Sequence, residues 1–490
     1  MAKRAAGALL PNLQVVPGES APLWVQIHRQ LRSAILSAHL PPGARLPSTR
    51  TLAHDLGVSR TSTESAFAQL EAEGFLARRV GAGTYVARVR ESLPARRKAS
   101  RVGVSGARAA LSNRGRAMAR ARACDEPTEP RAFDAGLPAL EAFPWRTWRR
   151  LLARRTRQSE RDLMGYGDPA GHPALRDAVA AYVATARGVA CEPDQVVILT
   201  SSQQALDLSA RLLLDPGDEV WLEDPGYLGA RLAFEAAGAR LCPVPVDDAG
   251  LDVGAGQTAA LGARLAYVTP SHQYPTGVTM TLERRLALLA WAERAGAWVI
   301  EDDYDSEFRY HGRPIAAIQG LDRSARVIYV GTFTKVLFPS IRLAYAVVPR
   351  ELKDAFVTAR TLQDGHTAQL LQAVLADFMT EGHFGVHVRR MRGLYGERRD
   401  ALVEAAGHEL GERLRLGPTD AGLEIAAYLP PGSKAREVAR RAARRGVSLV
   451  PLSRYAVAAP GPEGLLLGFA ALTPAAIRAG MRTMARALSS

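Results

Sequence analysis

The stretch Arg326 to Tyr345, RVIYVGTFTKVLFPSIRLAY, constrains this chain more than any other. Its apolar run Val327, Ile328, Tyr329 and Val330 reads as a buried strand. The run breaks at Gly331 and delivers Thr332, Thr334 and Lys335 onto a loop, with Pro339 and Arg342 just beyond. A lysine charge resists burial unless it is paired or put to chemical use. Desolvation lowers the pKa of such an amine, which can then form a Schiff base with an aldehyde. The hydroxyls of Thr332 and Thr334 and the guanidinium of Arg342 suit a phosphate nearby. An aldehyde and a phosphate together specify pyridoxal 5'-phosphate. Taken alone, a lysine after a strand is more often a surface residue; partners elsewhere in the chain decide for chemistry.

A length of 490 residues suggests two or three domains. With 47% hydrophobic and 23% charged residues the chain is globular and can bury a large core. A formal net charge of +14 points to a polyanionic partner. Cys124, Cys191 and Cys242 are far apart, odd in number and without a metal spacing, which fits a reducing cytoplasm. The apolar run before Pro11 is very short, and no stretch approaches the length of a membrane span. A soluble intracellular protein is expected.

Leu23 to Ala87 reads as one small unit. PLWVQIHRQLRSAILSAHL places Val25, Ile27, Leu31, Ala34, Ile35 and Leu36 on or near one helical face, and Pro41, Pro42 and Gly43 stop the helix. LPSTRTLAHDLGVSRTSTESAFAQLEAEGFL then reads as helix, turn, helix, with Ser48 and Ser59 as caps and Gly57 at the turn. Leu52, Leu56, Val58, Phe67 and Leu70 form its expected core. FLARRVGAGTYV reads as two short strands around Gly81 and Gly83, a wing. A helix-turn-helix sets the start of its second helix in the major groove of double-stranded DNA. That start is Ser59, Arg60, Thr61, Ser62 and Thr63, where arginine can pair with guanine and hydroxyls serve phosphates or bases. Arg50, Arg78 and Arg79 are candidate phosphate contacts, with Gly83 at the wing. The landmarks PLxxQI, LPSTRTLA, GVSRT, LEAEGF and GAGTYV resemble the winged-helix domain of GntR-type bacterial transcription regulators. Many members carry arginine in the recognition helix where this chain has Glu64, so base preference does not carry over.

Glu91 to Pro130 is rich in Arg, Ala, Gly and Ser without an apolar period, and reads as a flexible tether. Arg96, Arg97, Lys98 and Arg101 either add non-specific phosphate contacts or merely keep the tether soluble. A stray helix fits around Ala117 to Ala123.

Past Arg131 the pattern is α/β. VVILTSSQQALDLSARLLL reads as a strand, a turn and a helix whose N-terminus offers backbone N–H groups and the hydroxyls of Ser201 and Ser202 to a phosphate. EVWLEDPGY ends a strand at Tyr227, an aromatic able to stack on a flat heterocycle. WVIEDDYDSEF runs an apolar strand into acids, and Asp302 lies where open α/β sheets place ligands. There it can pair with a protonated pyridine nitrogen. No histidine joins those acids at a ligand spacing, so no metal site is expected. From about Gln369, two amphipathic helices precede the strands GLEIAAYL, GVSLVPL and GLLLGFA, a small subdomain expected to close over the cofactor.

Residues from about 131 to 490 resemble the fold-type I aminotransferases, and the whole chain is similar to MocR/GabR-type regulators. The resemblance implies a multi-domain protein. An α-rich winged helix-turn-helix head occupies about 1–90 (core about 20–88) and a basic linker about 91–130. An α/β pyridoxal-phosphate-dependent aminotransferase-like domain spans about 131–490, its small C-terminal α/β subdomain about 369–490. It implies Lys335 as the lysine that carries the cofactor, Asp302 at the pyridine nitrogen, Tyr304 at the ring hydroxyl and Tyr227 as the stacking aromatic. Ser201, Ser202, Gln203, Thr332 and Arg342 fall on the phosphate cup, and Thr334 is a further candidate for binding the cofactor. Tyr166 falls on the tyrosine offered to the neighbouring subunit's phosphate, which implies a homodimer. Tyr274 stands where many of these enzymes have asparagine, and Leu465, Leu466 and Leu467 where many have a carboxylate-binding arginine. Arg231 and Arg454 are similar to the effector-binding arginines of GabR-like members.

The expected function is a cytoplasmic regulator that binds operator DNA and senses a small amino compound, or pyridoxal phosphate itself. The alternative is a working aminotransferase that carries a DNA-binding head. A third reading, a large domain that no longer holds cofactor, conflicts with the intact Lys335, Asp302 and Tyr304 set.

Overall fold

The head forms as its local signals direct. Helices α1 (Leu23–Leu36), α2 (Thr49–Leu56) and α3 (Arg60–Ala72) are followed by strands β1 (Leu76–Arg79) and β2 (Gly83–Val86). Ser48 caps α2 by accepting from the Thr51 amide, and Ser59 caps α3 by accepting from the Ser62 amide. Between them Gly57 adopts φ 65°, a left-handed helix end at which a side chain would be strained. Ile27, Leu31, Leu52, Phe67 and Leu70 pack together with Leu76 and Val86 of the wing, whose strands pair antiparallel. Leu36, expected on the apolar face, is the last helical residue and is exposed.

The computed structural model describes residues 13–18, 20–79, 81–87, 111–120, 131–158, 163–312, 315–458 and 461–488. Arg96, Arg97, Lys98 and Arg101 of the tether lie outside them. The stray helix is present at Asn113–Arg120, beginning earlier than expected, and its expected last residues 121–123 lie outside the described ones. By packing, the chain divides into Met1–Ala109 and Ala110–Ser490.

The second unit is built on an eight-stranded sheet. Its strands are β3 (Val196–Leu199), β4 (Glu219–Asp224), β5 (Arg240–Asp247), β6 (Gly250–Leu251), β7 (Leu265–Val268), β8 (Trp298–Asp303), β9 (Val327–Thr332) and β10 (Ala344–Val347). Their order is β3-β10-β9-β8-β7-β4-β5-β6. β4, β5, β7, β8 and β9 run parallel, and β10 lies antiparallel between β9 and β3. β3, β7 and β9 are buried at every position, as expected of strands covered on both faces. The five strands β3, β4, β7, β8 and β9 therefore open their carboxyl ends on one edge, where such sheets hold ligands.

Two readings of the strands need correction. β9 does not break at Gly331 but continues through Thr332, with Gly331 paired to Tyr345. A Cβ on Gly331 would lie 2.3 Å from the Tyr345 ring, so the glycine makes room for packing and does not end the strand. The acids closing β8 are also part of the strand and buried. Asp303 accepts from Arg187 Nε and from the Tyr329 hydroxyl, both at 2.6 Å, and Glu301 accepts from the amides of Ile318 and Gln319. These partners offset the cost of burying charge.

The C-terminal part carries a second, antiparallel sheet of β11 (Arg415–Leu416), β12 (Glu424–Tyr428), β13 (Val450–Pro451) and β14 (Gly464–Gly468), ordered β11-β12-β14-β13. The long helix His383–Leu410 and the last helix, Pro474–Leu488, pack against each other beside it. The segment 131–136 is stitched to this sheet. The Ser448 amide donates to Ala132 O, the Gly468 amide to Phe133 O, and the Gly136 amide to Glu424 Oε2. Phe133 holds φ 69°, unusual for a bulky residue, and is fully buried against Gly480, where a Cβ would approach its ring to 2.8 Å.

Candidate functional site

The carboxyl ends of β3, β4, β7, β8 and β9 line one cleft of about 620 Å³, closed on the other side by Arg131–Gly136 and the small sheet. Lys335 lies in it, three residues past β9, and its Nζ donates to Gly136 O at 2.9 Å. Gly136 has φ 76°, and a Cβ there would stand 2.7 Å from that nitrogen, so only glycine lets the chain pass so close. Asp302 lies near the end of β8. Its Oδ2 accepts from the Tyr267 hydroxyl at 2.8 Å, while Oδ1 is buried and has no partner. Burial raises its pKa to about 7, against the lowering effect of Tyr267. An unpaired buried carboxylate oxygen is costly unless a cationic N–H arrives to meet it.

The remaining predicted residues arrange themselves around these two. Ser201 caps the helix Ser202–Leu213, directing that helix's first amides at the cleft alongside Ser202. Thr332 Oγ1 accepts from the Thr334 amide at 3.2 Å, which turns the chain after β9. Arg342 holds φ 51°, a left-handed conformation that costs energy for a side-chain residue, and it lines the cleft. Tyr227 stands at the N-cap position of the helix Leu228–Ala237, with no side-chain cap bond, and lines the same space. Gly229 makes room for it, since a Cβ would fall 2.5 Å from the Tyr227 ring and from Gln203 Oε1. Gln203 also lines the cleft, but its Nε2 donates to Gly229 O, bracing that turn. Arg454 reaches the cleft from just after β13.

Two predicted residues are not brought there. Arg231 does not line the cleft; its Nε donates to Glu235 Oε1 at 2.9 Å one turn along the same helix. Tyr166 is fully exposed and lies outside this chain's cleft, edge-on to His366.

Other cleft residues escaped the sequence reading. Glu424, the first residue of β12, is buried; burial and then Asp305 push its carboxyl above the usual range, against the opposing pull of Lys335. A lone acid inside GLEIAAYL was the signal that could have found it. Tyr455 escaped the sequence reading too; its hydroxyl meets that of Tyr274, the residue noted in place of asparagine, at 2.9 Å, and both line the cleft. Among the described residues no cluster of three His, Cys, Asp or Glu side chains suits a metal ion. Pyridoxal phosphate fits the donor set. Lys335 supplies an amine, Asp302 Oδ1 an unpaired acceptor, Tyr304 a hydroxyl, Tyr227 an aromatic face, and the helix N-terminus with Thr334 and Arg342 an anion cradle.

In the head, Arg50, Ser59, Arg60, Thr61, Arg78 and Arg79 are exposed. Arg60 Nε donates to Glu64 Oε1 at 2.7 Å, so the residue that replaces the usual arginine holds the base-reading candidate. Arg79 lies over the Tyr85 ring. Thr63 is a correction. It is fully buried and donates to Thr49 O at 3.0 Å, because it shares a helical stripe with Phe67 and Leu70 and so faces the core. Arg45 was missed: it is exposed beside the wing, and a Cβ on Gly83 would lie 3.1 Å from its Nε. No described helix is long and apolar enough to cross a membrane.

Comparison with known proteins agrees with both halves. The family described as "Bacterial regulatory proteins, gntR family" matches residues 23–86, and "Aminotransferase class I and II" matches residues 138–483. The chain is 43% identical over 465 residues to a probable rhizopine catabolism regulatory protein, MocR, of Rhizobium meliloti, covering 94% of this chain and 93% of that one. It is 33% identical over 487 residues to the HTH-type transcriptional regulator TauR of Rhodobacter capsulatus, covering 97% and 98%. Among solved structures it is similar to LysN, the alpha-aminoadipate aminotransferase of Thermus thermophilus in complex with N-(5'-phosphopyridoxyl)-L-leucine. That match has a TM-score of 0.71 and 33% identity, covering 76% of this chain and 97% of LysN. The chain thus belongs to the MocR-type family, in which a gntR-family DNA-binding head and an aminotransferase class I and II domain share one polypeptide.

Proposed function

We propose that this protein is a cytoplasmic transcription regulator whose aminotransferase-like domain holds pyridoxal phosphate on Lys335 and senses a small amino compound, or the cofactor itself. The observation that carries this reading is the convergence of Lys335, the unpaired Asp302 Oδ1, Tyr304 and Tyr227 on one cleft, in a chain that begins with a DNA-binding head. When bound, the cofactor supplies an aldehyde for an amine and a ring that withdraws electrons from it. Lys335 would hold the cofactor's aldehyde group, Asp302 Oδ1 would meet its ring nitrogen, and the Tyr304 hydroxyl would donate to its ring oxygen. Ser201, Ser202, Thr334 and Arg342 would bind the phosphate, and Tyr227 would offer the ring an aromatic face. Arg454, at the mouth of the cleft, takes an acidic group of the effector.

The account further includes a homodimer. Tyr166, fully exposed here, meets the phosphate of the neighbouring subunit, so each cleft is completed across the interface. An effector shifts the protein only between states it binds unequally. The small sheet, tied to the cleft through Glu424 and Gly136, is the element that moves. Reduction of loaded protein with borohydride followed by peptide mass spectrometry tests the assignment. The tag should sit on Lys335, and a tag retained after Lys335→Ala would contradict it.

A further inference from the structure

Tyr304 does not stand alone. Its hydroxyl lies 2.9 Å from His272 Nδ1, and the same nitrogen lies 2.9 Å from Asp305 Oδ2. His272 and Asp305 are both buried. The imidazole is also fixed on its other sides. A Cβ on Gly422 would lie 2.0 Å from its Cε1, and one on Gly277 would lie 3.3 Å from its Nε2. The charged and titratable groups facing it are Asp305, Glu424, Arg309 and Tyr304.

The direction of the hydrogens follows from what each group can do. A carboxylate oxygen only accepts, so Nδ1 must carry its hydrogen toward Asp305. That nitrogen then has no lone pair for Tyr304, whose oxygen can only share the Nδ1–H. The tyrosine's own hydrogen is left to point elsewhere, and Tyr304 lines the cleft. We propose that His272, held by Asp305, is a positioning residue that orients the Tyr304 hydroxyl so that its hydrogen is donated into the cleft, to the ring oxygen of the cofactor. The inference rests on the pyridoxal phosphate reading and adds to it a pair of residues outside the lining of the cleft.

A donor to the ring oxygen favours its ionised form and lowers the pH at which the visible band of the loaded protein titrates. Loaded full-length protein is therefore titrated spectrophotometrically. Tyr304→Phe should raise the midpoint. His272→Leu should raise it by about half a unit or more, and His272→Asn, which restores an N–H near the place of Nδ1, should bring it back. Asp305→Asn keeps the imidazole but removes the carboxylate that fixes its hydrogen, which can then sit on Nε2 and leave a free lone pair on Nδ1. That nitrogen then accepts from Tyr304 and draws its hydrogen out of the cleft, so this midpoint should rise as well, which keeps the test open should His272→Leu not fold. In a Tyr304→Phe background neither change should add anything. Unmoved midpoints in both His272→Leu and Asp305→Asn, or effects that add fully to Tyr304→Phe, would overturn the inference and leave His272 a packing residue. A wild-type chain that develops no visible band would instead overturn the cofactor reading beneath it.

Discussion

Lys335 Nζ donates to the carbonyl oxygen of Gly136 at 2.9 Å, and the amide of the same glycine donates to Glu424 of the small sheet at 3.0 Å. One residue thus joins the amine proposed to carry the cofactor to the small sheet. Because Gly136 has φ 76° and no room for a Cβ, Gly136→Ala should cut cofactor loading at least about tenfold. Loading is read from the visible band, and melting of the head should be unchanged. Full loading of the variant would show that this close approach is not needed.

Asp302 makes a pH-dependent prediction. Burial raises its carboxyl from an ordinary value near 3.8 to about 7. A carboxyl raised on folding stabilises the fold at low pH and loses that contribution as pH rises through about 4 to 7. A cationic ring nitrogen reverses the penalty, so the rise in melting temperature on adding pyridoxal phosphate should be larger at pH 8 than at pH 5.5. Asp302→Asn should flatten that dependence and weaken binding by about 1.5–3 kcal/mol, roughly ten- to a hundredfold. Calorimetry at the two pH values checks both.

The head separates readers from supports. Arg50→Ala and Arg79→Ala should each lower the salt dependence of DNA binding by about one phosphate's worth, while affinities for different sequences fall together. Thr63→Val should instead destabilise the head by about 1–3 kcal/mol, since it leaves Thr49 O and Arg60 O without their hydroxyl donor. Fluorescence anisotropy over a salt series and urea melts distinguish the two outcomes.

What could be read in advance was local. The Ser48, Ser59 and Ser201 caps each accept from an amide three residues on, and Lys335 and Asp302 each close an apolar run. The family resemblance added Tyr304 and Tyr227, which line the same cleft. Glu424 stands out as a lone acid in GLEIAAYL, but its pairing with Gly136 and that of His272 with Asp305 were not legible, because those partners are 288 and 33 residues away. Only the fold brings them together. Thr63 was a different failure. Its spacing to Phe67 and Leu70 already marked the core stripe, but the start of the recognition helix was read as if every side chain faced the DNA.

Occupancy of Lys335 is proposed to govern DNA binding. The most direct measurement is affinity for a genomic fragment selected by the protein itself, taken with and without pyridoxal phosphate across a panel of amines and amino acids. The visible band and keto-acid release are followed in the same samples. The account predicts that a compound which shifts the band, or the cofactor alone, also shifts DNA affinity without sustained turnover. Lys335→Ala should still bind the fragment but lose that response. Identical affinity in every state, together with steady keto-acid production, would contradict the account and make the protein a working aminotransferase with a DNA-binding head.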